Sequence, residues 1–389
     1  MKFVLLFRLA NVHLLKDAGM IPYLLGKQFG WDTEIVGNRN DTSYPYLKEP
    51  LADLAVTFLT GKIGREPGLE TYAWLWKNAK KIDVLMLFHI RTTTIYQMLL
   101  YKLRHPRGYV YVKADVADER IGYAGWGGRN IFTQFRRRIL FSLFVKHVDL
   151  VSFECLRTFA GVTNIPASKK IHVANGVWRG LNERYGVSPV PFEQKKNRII
   201  LVARHGTHQK NSELILDALN DMAPDALKDW EICFAGSATA DFMQKLAQCQ
   251  QQHPCGKNVH YLGEIVDRKK LLELYQSSKI FVMPSRSESW GIACCEALYF
   301  GNVPVMTREL SSSPDLTDDG RAGLTFPNEN AKELAARLQF LVENPEQLKQ
   351  MSEHARAYAA KNFVWEDIVQ HLGERIQNDL ARLKPELGI

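Results

Sequence analysis

Absent from this sequence is any apolar run near the roughly 18 residues that a membrane-spanning helix needs. The amino terminus resembles a signal peptide only superficially, because its apolar run of five residues ends at Arg8 and no small-residue cleavage site follows. We therefore predict neither a transmembrane segment nor a signal peptide. Residues 3–7 are instead expected to form a first β-strand.

Cysteine is scarce, and none of the six cysteines stands at the spacing of a metal site. Most fall in apolar contexts, which favours reduced thiols in the core of a cytoplasmic protein. They are Cys155, Cys233, Cys249, Cys255, Cys294 and Cys295. The aspartates around Asp115 and Asp318 also lack the Asp-x-Asp spacing of a metal site, so no metal site is predicted.

Repeats of short period, low-complexity tracts and nucleic-acid-binding motifs are missing as well. What remains is an ordinary globular composition, 46% apolar and 24% charged, in a chain of 389 residues. That length exceeds the size at which one core usually stops growing, so two domains are predicted. Short apolar strands alternate with helical patterns in both halves, which indicates an α/β fold.

The alternation predicts a specific set of elements. Strands are expected at residues 3–7, 33–36, 84–88, 109–113, 149–153, 199–203, 231–235, 259–262 and 280–283. Helices are expected at residues 95–103, 212–220, 240–251, 268–276, 291–300 and 367–383. The turn-rich polar stretch 180–197 is the predicted linker between the two halves.

The net charge of +8 is unevenly distributed. Residues 1–190 hold 27 Lys and Arg against 15 Asp and Glu, whereas the rest of the chain holds 23 against 27. A basic first half favours an anionic partner, which the charge alone leaves open between nucleic acid, an acidic glycan and anionic lipid. A basic surface that contacts only solvent and binds no partner would give the same numbers of charged residues.

One segment carries the strongest functional signal. A buried strand at 280–283, a polar turn at 284–289, a helix at about 291–300 and the start of a further strand make a βαβ unit. Such units bind ligands at the carboxyl ends of their strands. Glu288 in the turn and Glu296 in the helix suggest a polyol held against the helix N-terminus, although acids there also complement the helix dipole.

Phosphate ligands are predicted in the same domain. Arg204 and Lys210 follow the first strand of the second half, where a doubly wound domain binds phosphate. Gly206 between them lets backbone approach a ligand closely, and the two cations can neutralise a diphosphate. An arginine and a lysine in a polar loop are by themselves most often solvated side chains without a ligand. Their assignment to a phosphate site gains support because the Glu288 turn belongs to the same domain and would open onto the same edge of the sheet.

The start of the 291–300 helix also suits phosphate oxygens. Ser289, Trp290 and Gly291 are expected to present consecutive backbone N–H groups there. Glu296, about one turn further, can accept two hydrogen bonds from a ribose diol, because an ionised carboxylate has two acceptor oxygens and no donor. Glu288 can accept hydrogen bonds from sugar hydroxyls in the same way.

The stretch 284–305, PSRSESWGIACCEALYFGNVPV, resembles the E-x7-E signature of retaining GT-B glycosyltransferases, the large GT4 family. Other stretches that resemble the family occur in the expected order along the chain, at 175–177, 203–211, 261–267, 274–284 and 363–365. The resemblance covers essentially the whole second half, and the first half matches in architecture more than in motif.

The resemblance implies the GT-B fold, in which two Rossmann-like domains face each other across a cleft. Residues 1–185 are then the acceptor-binding domain and residues 198–365 the nucleotide-sugar-binding domain. Residues 366–389 form a C-terminal helix that packs back on the N-terminal domain.

The resemblance also assigns roles to residues of the second domain. Glu296 matches the residue that holds the nucleotide ribose, Arg204 and Lys210 match those on the diphosphate, and Glu288 matches the one on the donor sugar. The amides around Trp290 and Gly291 would contact the sugar or the β-phosphate. The loop with Val266 and Asp267 would lie against the base, which is uracil or guanine in a UDP- or GDP-linked donor.

In the first domain the match is weaker. His89, at the end of an apolar strand, resembles the family histidine that faces the donor sugar, although a histidine at a strand end is otherwise an ordinary hydrogen-bonded residue. The first-domain loop that usually carries a Gly-Gly doublet is here residues 11–19, without the doublet. Lys16 or Gly19 is expected to approach the phosphates in its place.

Residues 130–147 form an amphipathic segment with Phe132, Phe135, Ile139 and Leu143 at helical spacing. Beside them is the cluster 136–138 of three arginines, which cannot share one helix face because successive residues lie about 100° apart. The family resemblance implies peripheral contact with anionic membrane through this basic domain, at the inner face of the cell membrane.

The prediction is therefore a metal-independent retaining hexosyltransferase without a cofactor. It would move a sugar from a nucleotide-diphosphate sugar to a glycan or lipid-linked acceptor in bacterial-type surface polysaccharide or glycolipid synthesis. Two alternatives remain open: a sugar-nucleotide epimerase of the same fold, and a non-enzymatic nucleotide- or nucleic-acid-binding protein. Without a nucleic-acid motif, no nucleic-acid partner is predicted.

Overall fold

The computed structural model describes residues 1–60, 63, 68–114, 131–223 and 225–383. Asp115 and its neighbours to residue 130, including the start of the predicted amphipathic segment, lie outside these ranges. The chain divides into two compact units. Met1–Trp178 and Trp365–Ile389 make the first unit, and Arg179–Val364 makes the second.

The division between the units falls ahead of the predicted linker. Residues 180–197 lie in the second unit, because Ser188 accepts a hydrogen bond from Gln276 (2.7 Å) and the Lys196 amide donates to Ser277 (2.9 Å). At the other boundary, Trp365 is tied to the first unit by a backbone bond from its amide to the Val177 carbonyl (3.0 Å).

Both units are built on a parallel sheet. Among the described residues the strands of the first unit are β1 (Lys2–Leu6), β2 (Asp32–Gly37), β3 (Ala55–Phe58), β4 (Val84–Phe88), β5 (Tyr109–Ala114), β6 (Leu150–Phe153) and β7 (Lys170–His172). Those of the second are β8 (Arg198–Val202), β9 (Glu231–Ala235), β10 (Val259–Gly263), β11 (Ile280–Met283), β12 (Val303–Thr307) and β13 (Leu324–Phe326).

Helices alternate with these strands, as the α/β prediction requires. The first unit begins with α1 (Asp17–Phe29), α2 (Leu69–Asn78), α3 (Thr92–Arg104), α4 (Ile131–His147) and α5 (Leu156–Gly161). The second unit holds α6 (Arg179–Arg184), α7 (Glu213–Leu219), α8 (Ala240–Gln252), α9 (Arg268–Gln276), α10 (Ile292–Tyr299), α11 (Ser313–Thr317), α12 (Ala331–Glu343) and α13 (Pro345–Asn362). The chain ends in α14 (Trp365–Leu383).

The last helix, α14, packs on the first unit, as predicted. Its apolar residues recur every three or four positions and are buried in the same core cluster as those of α1: Trp365, Val369, Leu372, Ile376 and Leu380. The buried Tyr109 hydroxyl also donates a hydrogen bond to Asp379 of α14 (2.6 Å). Helix α14 thereby completes one face of the first unit's core.

The strand orders place a crevice at the edge of each sheet. The first sheet runs β3-β2-β1-β4-β5-β6-β7 and the second runs β10-β9-β8-β11-β12-β13. In each, the first strand of the unit has the second on one side and the fourth on the other, so the chain leaves the two central strands in opposite directions. Such topological switch points are where open parallel sheets bind ligands.

Two smaller findings complete the fold. The six cysteines, all within the described ranges, form no disulfide, and five of them are buried. Among the described helices, none combines the length and the apolar composition that crossing a membrane requires.

Candidate functional site

Two loops meet at the switch point of the second sheet, one following β8 and the other following β11. The Arg286 amide donates to the Gln209 carbonyl (2.8 Å), and the Gln209 side chain donates to the Ser287 carbonyl (3.0 Å). The Arg286 guanidinium also donates to the His208 carbonyl (2.7 Å). These bonds hold the Arg204–Lys210 loop against the loop that carries Glu288.

The contact brings Lys210 and Glu288 together in an ion pair. The Lys210 ammonium donates to Glu288 Oε1, which also accepts a hydrogen bond from the Ser285 hydroxyl (2.9 Å). The Glu288 side chain keeps 10% of its surface exposed and that of Lys210 keeps 21%. Residues predicted separately as sugar and diphosphate ligands therefore hold each other in this structure.

Glu296 is also paired, with an arginine that sequence reasoning missed. It is largely buried on α10, and its Oε1 accepts a hydrogen bond from the guanidinium of Arg268, the first residue of α9. Beneath the pair, burial and then the nearby Glu296 carboxylate raise the pKa of the Tyr275 hydroxyl. The only local signal for Arg268 was its place directly after the family-like 261–267 stretch.

The loop before α9 offers an exposed apolar side chain and a helix cap. Val266 is 82% exposed. Asp267 is the N-cap of α9, and its carboxylate accepts hydrogen bonds from the amides of Lys269 (2.9 Å) and Lys270 (3.3 Å). The Asp267 side chain therefore stabilises the helix end, and its predicted position against a nucleotide base remains a prediction.

The start of α10 has the geometry expected of a glycine turn. Gly291 is the N-cap residue with φ 96°, in the left-handed region that favours glycine. Trp290 is buried, with its ring edge against Phe363 (centroids 5.3 Å apart), so only its backbone can face a ligand. The prediction for Ser289, Trp290 and Gly291 concerned their amides and is compatible with this arrangement.

The loop after β8 is fixed by a buried histidine that the sequence did not identify. The His205 Nε2–H donates to the Ala235 carbonyl (3.1 Å), so its Nδ1 accepts from the Ser212 hydroxyl (2.9 Å). Burial lowers the pKa of this neutral imidazole to about 4. Next to it, Gly206 has φ 80°, and a Cβ there would lie 1.9 Å from Thr239 Oγ1.

Arg204 lies on the exposed side of that loop. Its guanidinium approaches the Gln209 side-chain oxygen at 3.4 Å, and the residue is exposed. The long, weak contact leaves most of the arginine's hydrogen-bonding capacity for a ligand, since a guanidinium carries five N–H donors.

The predicted site residues of the first unit lie at its own switch point. His89 directly follows β4 with φ 58°, and its amide donates to the Lys113 carbonyl (2.9 Å). A left-handed conformation is uncommon for a residue with a side chain, and such residues cluster at functional sites. Lys16 is the N-cap residue of α1.

Gly19, in the first turn of α1, has a packing role. A Cβ there would lie 2.0 Å from the Leu14 carbonyl oxygen, and its own amide already donates to the Lys16 carbonyl (3.1 Å). This accounts for a glycine at the position without a ligand, and its approach to phosphates stays a prediction.

A resident metal finds no ready ligands in the part of the chain that the structure describes. No group of three or more His, Cys, Asp or Glu side chains there converges as metal ligands do. Positive charge at the second switch point comes instead from Arg204, Lys210 and Arg268, together with the amides at the start of α10.

Residues 188–358 match the family model described as Glycosyl transferases group 1. The second unit of this chain is therefore similar to the glycosyl transferases group 1. The matched range spans nearly all of Arg179–Val364 and contains both loops and both ion pairs described above.

Individual relatives are similar to this chain over part of their length. A stretch of 97 residues is 33% identical to the D-inositol 3-phosphate glycosyltransferase of Streptomyces bingchenggensis, covering 25% of this chain and 21% of that protein. Another of 164 residues is 25% identical to the lipopolysaccharide core biosynthesis mannosyltransferase LpsB of Rhizobium meliloti, covering 41% of this chain and 45% of that protein. This chain thus spans less than half the length of either relative.

The fold extends over the whole chain. The crystal structure of Anabaena Alr3699/HepE in complex with UDP aligns with 97% of this chain and 100% of its own chain. The TM-score is 0.70 at 16% sequence identity. The chain therefore has the GT-B fold, as its sequence predicted.

Proposed function

We propose that this protein is a retaining glycosyltransferase of the GT4 type that transfers a hexosyl group from a UDP- or GDP-sugar to a glycan or lipid-linked acceptor. The observation that carries the proposal is the joining of the two loops at the second switch point, where Lys210 and Glu288 form one ion pair. A nucleotide-diphosphate sugar offers both anionic phosphates and hydroxyl groups. A site with paired cations and carboxylates at a helix N-terminus matches that combination.

The roles we propose are those that the family resemblance implies, and the position of each side chain is compatible with them. We assign Arg204 and Lys210 to the diphosphate, with the backbone amides at Gly291 assisting as the helix start of α10. Glu296 accepts the ribose hydroxyls while its ion pair with Arg268 orients the carboxylate. Glu288 accepts hydroxyl groups of the transferred sugar.

The chemical step breaks the bond between the anomeric carbon and the β-phosphate oxygen. Negative charge grows on that oxygen, and Arg204, Lys210 and the α10 amides stabilise it. In the front-face reaction that the resemblance implies, the departing diphosphate takes the proton of the attacking acceptor hydroxyl. These cations supply the charge stabilisation in our proposal, so no resident metal is invoked.

We assign the acceptor to the first unit, with His89 placed by resemblance on the donor sugar. Peripheral membrane contact belongs to the same proposal. On α4, Phe132 (78% exposed), Phe135 (64%) and Ile139 (46%) turn outward, whereas Phe141 and Phe144 face the core. An exposed apolar stripe beside arginines is typical of helices that lie at anionic lipid surfaces, and acceptors on lipid carriers are used there.

The test is product analysis by mass spectrometry. The full chain is incubated with a panel of UDP- and GDP-sugars and either a lipid-linked acceptor or its soluble counterpart. We expect one donor to give a glycosylated acceptor with the anomeric configuration of the donor, read by NMR, and turnover to persist in EDTA. An epimerised nucleotide sugar formed without acceptor would support the epimerase instead.

Lys210→Ala should reduce transfer by about a hundredfold or more, because it removes a cation from the developing charge. Lys228→Ala is the matched control, since Lys228 is an exposed lysine of the same unit away from both loops. Circular dichroism and thermal unfolding establish that both variants fold. Normal turnover by folded Lys210→Ala would contradict the assignment of the site.

A further inference from the structure

A cavity of about 100 Å³ lies at the amino-terminal edge of the second sheet, within the second unit. It is enclosed by the segment that leads into β8, by the turn between α10 and β12 and by α13. Glu288 follows the carboxyl end of β11, so this cavity and the candidate site lie at opposite edges of the sheet. We call it the lysine cavity, and its charged and hydroxyl-bearing side chains are Glu193, Lys195, Ser352, Glu353 and Arg356.

The lysine cavity is too small for a nucleotide sugar or a glycan. Pockets that hold drug-sized ligands have volumes of about 300–1,000 Å³. A volume of about 100 Å³ suits a single small ion instead. Neither substrate of the proposed transfer reaction would therefore occupy this cavity.

The wall that carries Arg356 is held in place by a close approach of two backbone segments. The buried Ser352 donates a hydrogen bond from its hydroxyl to the Gly301 carbonyl (2.6 Å). A Cβ at Gly301 would lie 3.1 Å from the Ser352 carbonyl oxygen, and φ is 75° there, so glycine suits this turn. Helix α13 thus packs closely on the turn, and Arg356, about one helical turn beyond Ser352, lines the same cavity.

Lys195 is the buried charged side chain of the lysine cavity. It keeps 6% of its surface exposed, and its ammonium donates a hydrogen bond to the Ser278 carbonyl (2.7 Å). A lysine ammonium has three donors, and this carbonyl is the one acceptor that it meets in the described part of the chain. A charge that is buried in this way is unfavourable unless a counter-charge is supplied.

The charged groups that act on Lys195 are cations. Burial, then Arg356 and Lys279, lower the pKa of Lys195 to about 7. The Lys279 ammonium lies 4.3 Å from the ring centroid of Phe192, and Phe192 also lines the cavity. Positive charge therefore surrounds a buried amine that itself carries a proton only part of the time near neutral pH.

The two acids in the cavity walls act on another lysine. Glu193 forms an ion pair with Lys349 of α13 (2.6 Å). The hydrogen bond to Glu193 and, to a smaller extent, the charge of Glu353 raise the pKa of Lys349. Neither acid is among the groups that shift the pKa of Lys195. The acids therefore offset Lys349 and leave the counter-charge of Lys195 to a ligand.

We propose that the lysine cavity binds a small oxyanion, such as inorganic phosphate or sulfate, between Lys195 and Arg356. The anion accepts charge-assisted hydrogen bonds from the ammonium and the guanidinium. Lys195 takes up a proton from solvent as the anion binds, because a neighbouring negative charge favours the charged form of the amine. This site is additional to the proposed transfer of a sugar and does not depend on it.

Calorimetry of the full chain with sodium sulfate, at constant ionic strength, tests the inference. Sulfate stays a dianion between about pH 6 and pH 8, so the charge of the probe does not change. The protonated fraction of an amine with a pKa of about 7 falls about tenfold over that range. We therefore expect the Kd for sulfate to be about tenfold smaller at pH 6 than at pH 8. Equal affinity at both pH values would overturn the inference.

The variant Lys195→Met should weaken sulfate binding by about tenfold or more, since methionine fills the space and has no donor. Lys196→Met is the matched control, because Lys196 is the adjacent lysine and is exposed. Thermal unfolding establishes that both variants fold. Full binding by Lys195→Met, or no sulfate binding by the parent protein, would contradict the proposed site.

Arg356→Gln provides a second variant that tests the site even if Lys195→Met fails to fold, because Arg356 is exposed on α13. We expect it to bind sulfate about tenfold more weakly, and full binding would overturn the inference. Lys210→Ala should bind sulfate as the parent protein does. Loss of binding in that variant would assign the ion to the candidate site instead. No arm of the test measures transfer, so its failure leaves the proposed function standing.

Discussion

The two sheets have the same topology around their first strand, yet their switch points carry opposite kinds of electrostatics. In the second unit, each carboxylate is met by a cation, Glu288 by Lys210 and Glu296 by Arg268. In the first unit, Arg8 and Arg91 line a cavity whose described walls hold no acid. The same sheet topology occurs twice in this chain. One switch point carries acids paired with cations, and the other is lined by cations.

This difference in charged side chains indicates which class of ligand each switch point can bind. Partly buried ion pairs keep charge in a site at small net cost, because each partner offsets the other's desolvation. A ligand that carries phosphates and hydroxyls can then replace those partners one by one. A cavity lined by arginines attracts a ligand that brings its own negative charge.

The largest expected effect comes from removing the acid of the Lys210 pair. Glu288→Gln should lower transfer by about a hundredfold or more, since the carboxylate is proposed to hold the sugar in the reacting geometry. UDP should bind no more weakly than to the parent protein, because Lys210 no longer has a competing anion. Steady-state kinetics and UDP calorimetry together measure this split.

A loss of UDP affinity equal to the loss of turnover would contradict separate roles for the two members of the pair. Glu343→Gln is the matched control, because it makes the same change at an exposed glutamate at the end of α12. Unchanged kinetics in that variant exclude a general effect of lost negative charge.

A smaller effect is expected on stability from breaking the second pair. Arg268→Ala leaves Glu296 largely buried without its cation, and we expect unfolding of the second unit to require about 2 kcal/mol less free energy. That figure lies below the 3–5 kcal/mol typical of fully buried pairs, because the Arg268 side chain keeps 18% of its surface exposed. Urea denaturation followed by circular dichroism measures the loss.

The double variant Arg268→Ala with Glu296→Gln sharpens that measurement. It removes the unpaired charge and should recover a large part of the lost stability, as expected for two groups coupled to each other. Additive losses would show that Arg268 acts through other contacts than its pair with Glu296.

The sequence carries more local signals for the second candidate site than for the first, for reasons visible in particular residues. Strand β11 was predicted to the residue. The E-x7-E spacing is local, so Glu288 and Glu296 could be recognised along the chain. Their partners Lys210 and Arg268 depend on how loops pack, which no local pattern encodes.

The first site has no such local signature. Arg8 and His13 follow β1, whereas His89 and Arg91 follow β4, and only the sheet brings the two segments to one cavity. Helix α1, which borders this region, was not predicted at all, because Gly19, Pro22 and Gly26 within it oppose helix formation in an isolated chain. Packing against β2 and α14 overrides those propensities.

The smallest expected effect concerns one histidine at each switch point. The pKa of His13 is lowered by burial and then by Lys16 and Arg8, whereas burial lowers that of His205 to about 4. A lowered folded-state pKa means that the unfolded chain binds more protons below pH 6.5. Each histidine therefore contributes stability above that pH and loses it as the pH falls toward the folded value.

A high salt concentration should change the pKa of one histidine and not of the other, because mobile ions screen charges and leave burial unchanged. We expect 1 M KCl to raise the pKa of His13, because Lys16 and Arg8 together outweigh the opposing Asp41, and to leave that of His205 unchanged within error, measured by NMR of ¹³C-labelled histidine. His13→Gln and His205→Gln identify the two signals. Equal shifts at both histidines would mean that His13 does not sense Lys16 and Arg8, and the contrast between a mixed and a cationic edge would lose its electrostatic basis.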